Sequence, residues 1–326
     1  MLIRNIMTGR PAPVRSFFKK LFKDRNKTQS TPDSEKTLVD NVFGKYEIVE
    51  PWQVSEKLQV PTYIPSPLYS VTGIPDAPPD EIEIKNANQI ECMGHSCILA
   101  KRVLGQIRPM IKPGVSTDWL DQQVHEIIVN NGAYPSPLNY QGFPKSICTS
   151  VNNVACHGIP DSRPLREGDT LNVDVTVYLN GYHGDCSEMY RVGSVDDEAD
   201  RLIYVTERCL SSAIGICRPN ERFCNIGNVI EETATKNGFA VIPVFAGHGI
   251  GSYFHGLPDV FNFANDFEGV MRPGMTFTIE PLITQGKPEV AILKDGWTAV
   301  TLDGARTAQI EHTVLITDHG CDVLTC

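Results

Sequence analysis

Five side chains able to bind a cation stand where a core would place valine or leucine. Asp174 and Asp185 lie in LNVDVTVYLNGYHGDCSEMY, residues 171–190, on a pattern that alternates apolar and polar positions. Asn180-Gly181 at its middle is a strong short-range hairpin signal. With those two residues as the loop, Leu179 faces Tyr182 and Asp174 pairs with Ser187. Asp185 then shares a face with Ser187, because side chains alternate along a strand. The two carboxylates become diagonal neighbours roughly 5–8 Å apart, and they repel unless something positive lies between them. Taken alone, the stretch also fits a solvent-facing hairpin with two exposed acids.

The second half of the chain repeats the oddity. Glu280 sits in FTIEPLIT and Glu311 in TAQIEHTVLIT, each between apolar neighbours. Pro281 interrupts ladder pairing, which predicts an edge or a bulge beside a site. Four buried carboxylates without counter-charge would be very costly, and divalent cations supply that charge. The fifth residue is His248 in GHGIGSYFHGLP, residues 247–258, where flanking glycines let backbone and metal approach closely. His157, His248 and His255 all sit in Gly- or Pro-bounded HG segments. The set is oxygen-rich, poor for a structural zinc and suited to Mn²⁺, Fe²⁺ or Co²⁺. Bridging carboxylates fit two metals roughly 3.5–4 Å apart, which activate a shared water; that chemistry is hydrolysis.

Strands must position these residues, and the sequence carries them twice. PGVSTDWLDQQVHEIIVNNG resembles PNERFCNIGNVIEETATKNG at a displacement of 106 residues. REGDTLNVD, residues 166–174, meets RPGMTFTIE, residues 272–280, at the same displacement, so that Asp174 matches Glu280. HGIP at His157 echoes HGLP at His255 at a displacement of 98. The expectation is an α+β fold of two related halves: a curved antiparallel sheet about a pseudo-two-fold axis, with helices on its outer face. Asp174 and Glu280 then approach the axis from opposite halves. Helical periodicity starts near Asn88, placing Ile90, Met93, Cys97, Ala100, Leu104 and Ile107 on one face. A second helix opens at Ser116 or Thr117, buries Leu120, Val124, Ile127 and Ile128, and stops at Asn131-Gly132.

The chain has 326 residues, 41% of them hydrophobic, enough for a sizeable core. No apolar run is long enough to span a bilayer. Residues 1–30 hold eight Lys or Arg and one acid, a net +7, which leaves −17 on the rest. That acidic body argues against a nucleic-acid partner. The basic segment is Arg-rich and acid-poor, the composition of a mitochondrial transit peptide. Residues 31–79 are rich in Pro, Ser and charge, which reads as an extended arm with little regular structure. None of the ten cysteines forms a CxxC pair; they read as buried free thiols of a reducing compartment.

In order, CHGIP, NVDVT, HGDCSEMY, GHGIG, FHGLP, FTIEP and QIEHT resemble the motifs of the type 1 methionine aminopeptidases, from about Ile82 to the C-terminus. The short gap between His255 and Glu280 leaves no room for the type 2 insertion. Nothing like the zinc-finger region of the cytosolic eukaryotic forms is present, and PSPLNYQGFPKS looks like the organellar, mitochondrial branch. The resemblance implies the pita-bread (creatinase/aminopeptidase) fold. It implies metal ligation by Asp174, Asp185, His248, Glu280 and Glu311, holding two divalent ions (Co, Mn, Fe or Zn). It implies removal of the N-terminal methionine from nascent proteins when the next residue is small. The substrate amine would bind near Asp174, Glu280 would carry the proton from hydroxide to the leaving amine, and His157 and His255 would stabilise the tetrahedral intermediate. Tyr140, Phe143, Cys148, Phe254 and Trp297 fall where the family lines its methionine pocket; sulfur–aromatic contacts suit that side chain. Many bacterial members have cysteine at the position of Pro137 and tyrosine at that of Phe143, so the rim differs here. Asn152, Val154 and Thr307 match positions that bind a monovalent cation through backbone oxygens.

The resulting expectation is a transit peptide over 1–30, an arm over 31–81 and a catalytic domain over 82–326, working as a monomer in the mitochondrial matrix. An X-Pro aminopeptidase or prolidase is the alternative, although those chains usually carry a long additional N-terminal domain. A non-catalytic pita-bread binding protein would have lost ligands that this chain keeps.

Overall fold

The computed structural model describes residues 39–75 and 77–326; the basic segment 1–30 lies outside them. The helices are α1 (Tyr69–Thr72), α2 (Ala87–Ile107), α3 (Thr117–Asn130), α4 (Asp197–Gly215) and α5 (Cys224–Lys236). The strands are β1 (Val39–Asn41), β2 (Gly44–Tyr46), β3 (Tyr134–Pro135), β4 (Cys148–Val151), β5 (Val154–Cys156), β6 (Thr170–Leu179), β7 (Tyr182–Arg191), β8 (Ala240–Val241), β9 (Ala246–Gly249), β10 (Gly256–Phe261), β11 (Thr276–Ile279), β12 (Leu282–Thr284), β13 (Val290–Ile292), β14 (Ala299–Thr301), β15 (Thr307–Gln309), β16 (Glu311–Ile316) and β17 (Cys321–Val323).

Nine strands form one sheet in the order β10-β9-β11-β16-β7-β6-β3, with β4 also on β6 and β17 on β16. Asn180-Gly181 makes the expected loop, with φ of 53° and 85°. Its register sets Leu179 opposite Tyr182, Asp174 opposite Ser187 and Thr176 opposite Asp185. The hairpin β6–β7 and the pair β11–β16 meet where Glu311 faces Ser187. That seam is where the two repeat-related halves join. Alternation then sorts the side chains. Val173, Val175, Val177 and Cys186 enter a core shared with Val103, Leu104, Leu120 and Val124 of α2 and α3. Phe277, Ile279, Val314 and Ile316 enter a second core shared with Ile203, Leu210, Ile226 and Ile230 of α4 and α5. Both helix pairs thus cover one face of the sheet, and the acids occupy the other.

The repeat holds at the level of single bonds. Asn131 and Asn237 end α3 and α5, and their Nδ2 atoms donate to the carbonyls of Ile127 at 2.7 Å and Thr233 at 2.8 Å. Ser116 caps α3, accepting from the Trp119 N–H, whereas Phe223 at the matching end of α5 offers no side-chain cap. The HG echo is looser: His157 has a positive φ of 53°, and His255 is not among the residues with positive φ. Ile90 and Ile127 prove half-buried rather than buried. Pro281 marks neither an edge nor a bulge. The central strand β11 ends at Ile279, and after Glu280-Pro281 the chain enters a separate sheet, β15-β12-β8.

The arm is mostly extended, but it is not free of the body. Tyr46, Ile64 and Tyr69 are buried. The N–H of Val49 donates to Asn153 Oδ1 at 2.7 Å and that of Trp52 to Asp161 Oδ2 at 2.8 Å. The ten cysteines are all free thiols; seven are buried, Cys92 and Cys321 are half-buried and Cys326 is exposed.

Candidate metal centre and active-site pocket

On the acid face of the sheet, donor atoms of Asp185 (β7), His248 (β9) and Glu311 (β16) lie within 4.8 Å of one another. All three side chains are buried. His248 Nε2 stands 3.8 Å from Asp185 Oδ2 and 3.7 Å from Glu280 Oε1. Asp174 is in side-chain contact with Asp185. Asp174, Glu280, His157 and His255 are half-buried, because each opens onto a cavity of about 70 Å³ that all seven residues line. The same cavity is walled by Tyr140, Phe143, Cys148, Phe254 and Trp297. Every catalytic, ligand and pocket residue expected from the sequence is therefore brought to one place.

Hydroxyls and an amide aim the carboxylates. Thr176 Oγ1 donates to Asp185 Oδ1 at 2.6 Å. Glu280 accepts from Thr278 Oγ1 at 3.0 Å and from Gln309 Nε2 at 3.1 Å. Thr313 Oγ1 donates to the Asp185 carbonyl at 2.8 Å, and Thr278 Oγ1 accepts from the His248 N–H at 2.9 Å. None of these four residues was expected from the sequence. Thr176 was within reach of alternation, being two residues from Asp174 on one face and opposite Asp185. The glycines around His248 serve the strands: a Cβ on Gly247 would lie 2.3 Å from the Thr278 carbonyl oxygen, and one on Gly249 1.9 Å from that of Leu257.

The electrostatics ask for positive charge. Burial first, and then each other's proximity, push the acids up: Asp174 to about 7 by burial, Glu280 to about 8 by burial and the Asp174 charge. Asp185 and Glu311 are driven well above the ordinary carboxylate range by burial and by neighbouring acids. Burial lowers His248 to about 4 and His157 to about 3, so both imidazoles are neutral at neutral pH. Among the described residues, Asp174 Oδ1 and Glu311 Oε1 are buried without a hydrogen-bond partner. Unpaired buried oxygens on acids that crowd a neutral imidazole are what a pair of divalent cations would satisfy. The residues present fit such a group.

His255 Nδ1 meets the Tyr140 hydroxyl at 3.0 Å, and its ring stands 4.1 Å from those of both His248 and Phe254. Phe143 packs edge-on against Trp297 at 5.1 Å. Behind the cavity, the Thr307 hydroxyl donates to the Val154 carbonyl at 2.9 Å and lies 3.3 Å from that of Asn152.

Comparison with known proteins agrees with this architecture. The model of metallopeptidase family M24 matches residues 91–318. The chain is 52% identical over 280 residues to "Methionine aminopeptidase 1D, mitochondrial" of Homo sapiens, covering 86% of this chain and 84% of that one. It is 48% identical over 284 residues to "Methionine aminopeptidase 1D, chloroplastic/mitochondrial" of Arabidopsis thaliana, covering 87% and 81%. The crystal structure of methionine aminopeptidase from Rickettsia prowazekii superposes with a TM-score of 0.75 at 41% identity, over 76% of this chain and all of that one. The chain belongs to metallopeptidase family M24 and, within it, to the methionine aminopeptidases.

Proposed function

We propose that this protein removes the N-terminal methionine from peptides and nascent proteins whose second residue is small. The observation that carries the reading is the convergence of four carboxylates and His248 on one wall of an aromatic-lined cavity. Asp174, Asp185, His248, Glu280 and Glu311 would hold two divalent ions, drawn from Co, Mn, Fe or Zn. Bound there, such ions activate water and polarise the methionyl carbonyl.

The protein's own groups do the rest. The flexible thioether enters between Tyr140, Phe143, Phe254 and Trp297, where sulfur–aromatic contacts favour it. Asp174, open to the cavity, receives the substrate's free amine. Tyr140 holds His255 through Nδ1, which leaves Nε2 to meet the scissile unit, and His157 approaches through the other HG segment. Glu280, held by Thr278 and Gln309 at its two oxygens, takes the proton from the attacking water and delivers it to the leaving amine. A monovalent cation would bind where Asn152, Val154 and Thr307 converge.

Segment 1–30 would deliver the chain to the mitochondrial matrix, residues 31–81 form the arm, and 82–326 carry catalysis as a monomer. The organellar names of the relatives and the basic, acid-poor composition support that address. Prolidase-type cleavage is not favoured, because 52% identity over most of both chains is to a methionine aminopeptidase. A panel of Met-Ala-Ser against Ala-Pro peptides tests the assignment: turnover of the first alone supports it, and cleavage of the Ala-Pro bond with Met-Ala-Ser untouched refutes it.

A further inference from the structure

The loop carrying Tyr140 and Phe143 is bent through the left-handed region, which Asn139 and Gly142 tolerate and Gln141 does not favour. Asn139 and Gln141 have positive φ of 62° and 49°, followed by Gly142 at 83°. Non-glycine residues persist in that region when their surroundings over-determine them. Part of those surroundings is the arm, which meets the loop at Asn139. Asn139 Nδ2 donates to the carbonyls of Tyr69 at 3.1 Å and Ser70 at 3.0 Å, and its Oδ1 accepts from Lys57 Nζ at 2.6 Å. The Tyr69 hydroxyl donates to the Ser136 carbonyl at 2.8 Å, and its buried ring stands edge-on to Tyr140 at 4.9 Å. A second contact runs through His183, which stacks 6.3 Å from Tyr69 and 5.2 Å from Phe254, with Nδ1 against Ser136 Oγ at 2.8 Å.

We propose that arm residues 57–72 brace the methionine pocket from outside its lining, with Tyr69 as a positioning residue: it fixes Tyr140 and Phe254, and through Tyr140 the imidazole of His255. The proposal rests on the methionine aminopeptidase reading and adds a specificity element that lies outside the family-matched core of residues 91–318. The arm is then a brace for the wall of the site rather than a tether. Its loss loosens the rim first, so discrimination at the methionine side chain falls before chemistry stops.

The test uses the full chain and three peptides, Met-, norleucyl- and leucyl-Ala-Ser. Tyr69→Phe keeps the ring and stays within about threefold of the parent. Tyr69→Ala lowers kcat/KM for Met-Ala-Ser about tenfold or more, with a raised KM, and narrows the preference for Met over Leu. A folded Tyr69→Ala protein with parental kcat/KM and preference overturns the proposal. So does an equal loss on all three peptides that merely follows a lowered Tm. If Tyr69→Ala does not fold, Tyr69→Leu, which keeps apolar bulk but loses the edge-on ring and the hydroxyl bond to Ser136, takes its place; it narrows the same preference, and an unchanged preference refutes the positioning role. A parent chain inactive on all three peptides would instead refute the underlying functional reading.

Discussion

Asp185 is held at its carboxylate by Thr176 and at its backbone by Thr313. That rigidity suits a ligand and leaves little freedom to adapt. Asp185→Asn keeps the shape but removes the charge the site was built around, so bound metal and Met-Ala-Ser turnover both collapse, as metal analysis beside a turnover assay would read. Thr176→Val removes only the aiming hydroxyl. Partners of that kind are worth about 10–100-fold in metal affinity or activity, so titration of the variant with Mn²⁺ gives a weaker midpoint but the same stoichiometry. The acids themselves were legible because a carboxylate in an alternating apolar pattern asks for an explanation. Thr278 and Thr313 were not, because threonine is an ordinary strand former whose hydroxyl declares no partner until the register is known; Thr176 alone lay within reach, once the hairpin register set it opposite Asp185.

At the scale of elements, the hairpin β6–β7 sets the geometry and α2 clamps it. The backbone of α2 lies so close to β7 that a Cβ on Gly184 would stand 2.4 Å from the Cys97 nitrogen. Gly184→Ala therefore pushes helix from sheet and destabilises by about 1–3 kcal/mol, the range for overpacking, measurable as a lower midpoint in denaturant. A second clamp joins β2, α4 and β15. Asp196 caps α4 and pairs with Arg306, whose guanidinium lies 4.1 Å over the Tyr46 ring. Burial raises the Asp196 pKa, but Arg306 and the N–H groups of Lys45 and Ala199 outweigh it and hold it at about 2, below the ordinary 3.8. A depressed carboxylate contributes stability above its unfolded value and loses it as pH falls through the folded one. The stability gap between the parent and Asp196→Asn is thus full above about pH 4 and closes toward pH 2; a gap that widens on acidification would contradict the pairing. The hairpin and the two helix ends at Asn131 and Asn237 were readable from local chemistry. The breaks at Glu280-Pro281 and Ile310 were not, because a strand that changes sheets keeps the same apolar pattern as one that continues.

For the whole molecule, the internal repeat announced the pseudo-two-fold architecture, and the seam at Glu311 and Ser187 is where its halves deliver their acids. The arm's role was illegible: its Pro-rich composition speaks of extension, and only long-range contacts from Lys57 and Tyr69 to Asn139 and Ser136 show what it holds. Because the acids share buried space with no lysine or arginine paired to them among the described residues, metal should stabilise the native chain. Saturating Mn²⁺ raises Tm relative to chelated protein, and the rise vanishes in Asp185→Asn. The most direct trial is metal content measured on the same samples as Met-Ala-Ser turnover, through chelation and stepwise return of Mn²⁺, Co²⁺ or Fe²⁺. Activity then disappears with the metal, returns with it, and levels off at two ions per chain. Full turnover by a chain stripped of metal would contradict metal-dependent hydrolysis.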